Sequence, residues 1–261
     1  MKKERKYKIG YVLSGGGVKG LAHAGALQAL EEFGFRPNVI AGTSAGAIAA
    51  VMYASGMTPQ SILDTFKSRA FTDFVSPSMP KAGFLSLDKF QVLLKKIVPY
   101  ANIEDLPIPV CVVASDLDHG RSVVFRDGAL PERVAASASV PIVFKPTVID
   151  GVHYVDGGVF RNFPVREIRN ECKRIIGVNV SPLVPTEYNQ NFIGIAERSY
   201  NFMFRANTIE DRKLCDLLVE TPSALQFGTF DMSQLDDLYK LGYESMAEQL
   251  QHLDASFFEM E

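Results

Sequence analysis

The chain has 261 residues, 47 % hydrophobic and 22 % charged, with a formal net charge of −3. A chain of this size buries about 70–75 % of its unfolded surface in one core without disulfides or a structural metal, and its mildly acidic balance offers no footprint for nucleic acid. Its three cysteines, Cys111, Cys172 and Cys215, are odd in number, far apart and without metal-ligand spacing, which points to a reducing compartment.

Residues 1–6 are basic, but the run Tyr7–Leu13 is too short and strand-like for a signal-peptide core, so a cytoplasmic chain is expected. A glycine-rich loop follows, Ser14-Gly15-Gly16-Gly17-Val18-Lys19-Gly20, and opens the helical pattern Leu21–Glu32. Gly15, Gly17 and Gly20 have the spacing of a dinucleotide fingerprint, which also requires an acidic residue at the end of the second strand. Here the second strand, 38–41, runs into Gly42-Thr43-Ser44, while Glu31 and Glu32 lie on the preceding helix. A Walker loop fails as well, because Lys19 is followed by Gly20. What is left is a row of backbone N–H groups at a helix start, suited to a developing oxyanion as well as to phosphate.

Gly42-Thr43-Ser44-Ala45-Gly46 is a Gly-x-Ser-x-Gly pentapeptide between the strand 38–41 and an Ala-rich helix over 45–53. In a nucleophile elbow the serine sits on a tight strand-to-helix turn, with glycines where side chains would clash. An incidental N-cap serine on a buried Gly/Ala-rich helix gives the same five residues. Residues 37–63 carry no charge, yet their Gly, Ser and Thr favour a buried core segment over a membrane span. A helix is expected over 87–97 and strands over 110–115, 122–125, 153–155 and 174–180, with Cys111 a small buried hydrophobe. Helices alternating with strands imply a mostly parallel sheet covered on both faces, with ligands at the carboxyl ends of the strands.

A serine and an oxyanion loop still need a base. His23 lies among small apolar residues and reads as a packing histidine, His119 sits in a turn, His153 in a strand and His252 in a polar C-terminal helix. None has the late-loop setting of a triad histidine. The better candidate is Asp156, in Val155-Asp156-Gly157-Gly158, where a strand stops at an aspartate and two glycines allow close backbone approach. Taken alone, this is equally an Asp-Gly turn.

Taken in order, residues 14–20, 42–46 and Asp156-Gly157-Gly158, with Ala136-Ser137-Ala138-Ser139-Val140-Pro141, resemble the patatin-like phospholipase family over 7–182. The resemblance implies a three-layer α/β/α fold, a Ser-Asp dyad without histidine, and neither metal nor cofactor. By position, Ser44 is the nucleophile and Asp156 the base, with the amides of Gly16 and Gly17, and Val18 as a further candidate, as oxyanion donors. Where plant patatins have Asp before the glycines this chain has Ser14, which weakens the match to that branch alone.

The expectation is one acyl hydrolase domain over 1–261, its C-terminal helical part over 196–254, acting on phospholipid or lysophospholipid esters with transient contact to a membrane surface. The alternatives are an acyltransferase or thioesterase, or a non-catalytic membrane-associated regulatory protein. Two stretches are expected at the acyl site's rim. Residues 70–87, with Phe71, Phe74, Met79, Phe84 and Leu85, read as a mobile cover. Residues 196–219 read as a helix bearing Tyr200, Phe202, Met203 and Phe204; the helix over 234–253 reads as scaffold.

Overall fold

The structure, a computed structural model, describes residues 5–78, 85–185, 187, 188, 190–254 and 257; within the helix 192–206 the side chains of 192–194, 196, 197 and 200 lie outside the description. The strands are β1 (Tyr7–Leu13), β2 (Val39–Thr43), β3 (Ser76–Pro77), β4 (Leu85–Ser86), β5 (Val110–Asp116), β6 (Arg121–Phe125), β7 (Thr147–Ile149), β8 (Val152–Asp156), β9 (Cys172–Asn179) and β10 (Leu217–Glu220). The α-helices are α1 (Leu21–Glu32), α2 (Ala45–Ala54), α3 (Pro59–Lys67), α4 (Asp88–Ile97), α5 (Leu130–Ala138), α6 (Gly158–Arg161), α7 (Arg166–Arg169), α8 (Phe192–Ala206), α9 (Ile209–Arg212) and α10 (Leu235–Gln251).

Eight strands form one sheet in the order β10-β9-β1-β2-β5-β8-β7, with β6 also paired to β5. The run from β10 to β5 is parallel and the pairs made by β6, β7 and β8 are antiparallel. Residues 9–13 of β1, 39–42 of β2 and 110–114 of β5 are uncharged, apolar or glycine throughout, because a parallel strand is buried on both faces. Tyr11, Leu13, Ile40 and Val112 join the core shared with α1, α2, α4, α5 and α10. Val12, Val39, Ala41 and Cys111 face the other way, against Phe163, Val165 and Ile168 from the α6–α7 segment. The sheet is therefore covered on both faces, as the alternating pattern implied.

The position of β8 decides the site. Residues 110–113 of β5 pair with 40–43 of β2, while residues 114–116 pair with 156–154 of β8. Because β6 spans 112–116 and so takes the opposite edge of β5, β2 and β8 must share one edge. They meet there end to end: Thr43 is level with Val113, and Asp156 with Ala114.

Three expectations need correction. The helix read over 196–219 stops at Ala206, where Thr208 N–H and Oγ1 both donate to the Arg205 carbonyl, at 3.1 and 2.7 Å. Leu217–Glu220 is instead an edge strand on β9, with Leu217 and Val219 buried; a short apolar run has no period long enough to separate helix from strand. The second correction is β7, an unanticipated strand joined to β8 through Asp150 and Gly151, both at positive φ (52° and 82°), the turn that suits a two-residue hairpin. The third concerns 70–87, whose described part is wall, not cover. Phe74, Val75 and Leu87 are buried, and Leu85 is tied to Val143 and Lys145 by two backbone bonds of 3.0 and 2.9 Å. Met79 and Phe84 lie outside the described residues.

Candidate active site

Ser44 closes β2 and caps α2 with φ 52° and ψ −121°, a backbone region a non-glycine residue holds at a cost of about 1–3 kcal/mol. The flanking glycines make the turn possible by close approach. A Cβ on Gly46 would meet the Leu13 carbonyl oxygen, and one on Gly42 would lie 2.5 Å from the Gly46 carbonyl oxygen. Ser44 is 6 % exposed, and the N-terminal end of the α2 dipole lies directly behind it.

Asp156 is 2 % exposed, accepts from Gly158 N–H at 2.7 Å, and shares a cavity lining with Ser44, whose hydroxyl is a donor near enough to favour the charged carboxylate. Burial pushes its carboxyl up to about 6, against the pull of those two donors toward the charged form. The pair is held by the end of α5, in the segment 136–141. Ser137 Oγ accepts from Ser44 N–H at 2.8 Å and donates to the Val113 carbonyl at 2.5 Å. The carbonyls of Ser139 and Ser137 accept from Asp156 N–H (2.9 Å) and Gly157 N–H (3.2 Å). One short segment thus fixes the nucleophile's turn and the carboxylate's turn together. The sequence marks this segment only as part of the family resemblance, with no role attached to Ser137 or Ser139.

The glycine loop packs beside them. Ser14 N–H donates to Val178 O (3.1 Å) and Gly15 N–H to Asn162 O (2.9 Å), which anchors the loop's first two residues. The amides of Gly16 and Gly17 have no hydrogen-bond acceptor among the described residues. Val18 N–H, the further candidate, instead donates to Thr229 O at 2.9 Å and is not free in this structure. Thr229 comes from the stretch between β10 and α10, so a segment remote in sequence decides which amides stay open. Gly17 needs its glycine: φ is +62°, and a Cβ there would meet the Thr229 carbonyl.

None of the four histidines is hydrogen-bonded to Ser44 or Asp156 among the described residues. Buried His23 donates from Nε2 to the Ser14 carbonyl at 2.8 Å, and its burial lowers its pKa to about 4, so it supports the loop as a neutral ring. Exposed His119 and His153 pair with buried Asp116 and exposed Asp118 respectively. Among the described residues no group of three or more His, Cys, Asp or Glu could hold a metal.

Ser44 stands where two cavities meet. One, of about 890 Å³ including its open mouth, is lined by apolar side chains such as Ile48, Ile62, Phe71, Phe74, Phe90 and Phe144. The other, of about 480 Å³, is bounded by the glycine loop, Asp156, Asn162 and the α8 residues Asn201, Phe204 and Arg205. Both rim stretches therefore contribute: 70–87 to the apolar wall, and α8 to the polar one. Phe202 and Met203 are exposed, and the Tyr200 side chain lies outside the described residues. No described helix is long and apolar enough to cross a membrane.

A sequence profile described as patatin-like phospholipase matches residues 11–169. An uncharacterised NTE family protein of Mycobacterium tuberculosis (strain H37Rv) is 33 % identical over 191 residues, covering 72 % of this chain and 51 % of that protein. The lysophospholipase NTE1 of Candida albicans is 25 % identical over 266 residues, covering 90 % of this chain and 19 % of its own. The chain thus spans about half the length of the mycobacterial relative and a fifth of the fungal one. Among solved structures, VipD from Legionella pneumophila superposes with a TM-score of 0.55 at 15 % identity, covering 95 % of this chain and 67 % of that one, a likeness of fold.

Proposed function

This chain belongs to the patatin-like phospholipase family, and from that premise we propose that its residues 1–261 act as one domain that hydrolyses lipid acyl esters through a Ser44–Asp156 dyad. The observation that carries the reading is that Ser44 and a buried Asp156 line the same polar cavity, with Ser44 also lining the apolar one and its hydroxyl near enough to favour the charged carboxylate. An acyl chain lies in the apolar cavity, and the ester carbonyl reaches Ser44 Oγ with its oxygen toward the Gly16 and Gly17 amides. As the Oγ–C bond forms, Asp156 takes the serine proton and the carbonyl electrons move onto oxygen, where the two amides stabilise them. Collapse breaks the bond to the alcohol, which leaves with the proton from Asp156. Water then attacks the acyl-enzyme, giving its proton to Asp156, and the proton passes to Ser44 Oγ as the fatty acid departs.

A free carboxylate near pKa 4 is a weak base. Raised to about 6, Asp156 remains mostly ionised at neutral pH while gaining proton affinity, which brings it closer to the pKa a general base needs. Exposed Phe230, which lines the apolar cavity, and exposed Ile142, between the lining residues Val140 and Phe144 in sequence, suit transient contact with a lipid surface. The three unpaired cysteines suit a reducing compartment.

The test is labelling by a fluorophosphonate probe, followed by product analysis on p-nitrophenyl and lysophospholipid esters. Wild type should be labelled and release free fatty acid; Ser44→Ala should do neither. Transfer of the acyl group to an added alcohol in preference to water would favour the acyltransferase reading. Unlabelled wild-type protein that still binds lipid would leave the binding-protein reading.

A further inference from the structure

The Arg205 guanidinium has no partner among the described residues to account for its burial. It is 8 % exposed, its Nε and Nη1 are buried without any hydrogen-bond partner, and no carboxylate lies within 4 Å of it among the described residues. Other partly buried arginines in the same molecule behave differently. Arg169 donates to three backbone carbonyls and to Asp216, Arg161 pairs with Asp211, and Arg212 pairs with Glu220. A guanidinium withdrawn from water with its donors unused is costly to the folded chain, and its charge is felt only against that of Arg198.

The cavity it lines supplies the reason to keep it. Asn201, Phe204 and Arg205 lie three and four residues apart on α8 and so share one face, which forms the polar cavity's wall. That cavity also takes in Lys19 and Asn162, and among the described residues Asp156 is its one lining carboxylate. Both cavities reach Ser44, so the alcohol half of an ester is left the polar one when its acyl half fills the apolar one.

We propose that Arg205 recognises a phosphate carried on the alcohol portion of the lipid, making this polar cavity the head-group subsite. The inference rests on the acyl hydrolase reading above. Planar guanidinium donors match phosphate oxygens two at a time, and phosphate would satisfy the two nitrogens that the protein leaves open. A neutral glycerol group would leave them unpaired. Arg205 would therefore select between esters of identical acyl chain.

The experiment measures kcat/KM of wild type, Arg205→Gln and Arg205→Lys on lysophosphatidic acid, lysophosphatidylcholine and monoacylglycerol bearing one acyl chain. Loss of a charge-assisted contact should lower the ratio of the phosphate-bearing to the neutral substrate by about 10- to 100-fold in Arg205→Gln, with partial recovery in Arg205→Lys. A ratio within threefold of wild type for both variants overturns the assignment. Calorimetric titration of sn-glycerol 3-phosphate, inorganic phosphate and glycerol into wild type tests the subsite apart from turnover. Binding of glycerol 3-phosphate, lost in Arg205→Gln, supports it even if no ester is hydrolysed, in which case the hydrolase reading alone fails. No binding of glycerol 3-phosphate by wild type, or inorganic phosphate binding as tightly, overturns the head-group assignment.

Discussion

Replacing Asp156 by Asn should cost activity and raise stability at once. The carboxyl's ordinary pKa is 3.8 and burial raises it to about 6. With a folded pKa above the unfolded one, its favourable contribution is complete below pH 3.8 and is lost as pH rises through about 6. About two pKa units correspond to about 3 kcal/mol, which the ionised native state gives up at pH 8. His23 acts in the opposite sense. Its pKa falls from 6.5 to about 4 on burial, so stability is present above pH 6.5 and lost as pH falls through about 4. The two slopes oppose each other between pH 4 and 6, so wild type should show little pH dependence there from this pair. Asp156→Asn should gain about 3 kcal/mol at pH 8, or about 5–10 °C in Tm, and should expose the His23 slope on acidification. Its kcat should fall by at least about 10²-fold, the contribution of a general base, while wild-type kcat/KM rises with pH through an inflection near 6. Urea titrations at pH 5 and 8 beside a pH–rate profile give both readouts. Retention of a tenth of wild-type kcat, or no stabilisation at pH 8, would refute the argument that the site keeps a buried carboxylate as its base at the expense of stability.

Ser137→Ala removes the acceptor of Ser44 N–H and the donor to Val113 O. It should lower stability by about 1–3 kcal/mol and reduce kcat more than KM, read by denaturation and steady-state kinetics; an unaltered kcat would mean that the elbow holds its own shape. Gly17→Ala puts a methyl against Thr229 at φ +62° and should slow acylation by about 10²–10³, the size of one lost oxyanion donor. Stopped-flow measurement at the wild-type rate would show the loop to be only a turn. Ala49→Leu narrows the apolar cavity and should move the preferred acyl chain to shorter lengths, scored on a series of p-nitrophenyl esters. An unchanged length profile would place the acyl chain elsewhere.

The local pieces are legible in the chain without its fold. Tyr7–Leu13, Leu21–Glu32 and the residues around Gly42-Thr43-Ser44-Ala45-Gly46 fall where pattern and turn chemistry put them, because glycine at a crowded turn and apolar runs in a parallel strand are short-range requirements written into neighbouring residues. The same rules misread Leu217–Glu220, where four apolar or amphipathic residues fit helix or strand until β9 offers an edge. Tertiary structure alone decided that β8 runs antiparallel on the edge of β5 that β2 vacates, which sets Asp156 beside Ser44 across more than a hundred residues of chain. It also decided that Thr229 occupies the Val18 amide, that Ser137 ties the two turns together, and that the Arg205 guanidinium is buried with two nitrogens unpaired among the described residues. Each of these depends on which distant backbone group or empty space a side chain meets. Burial and hydrogen-bond pairing are properties of the packed whole, so no window of sequence carries them.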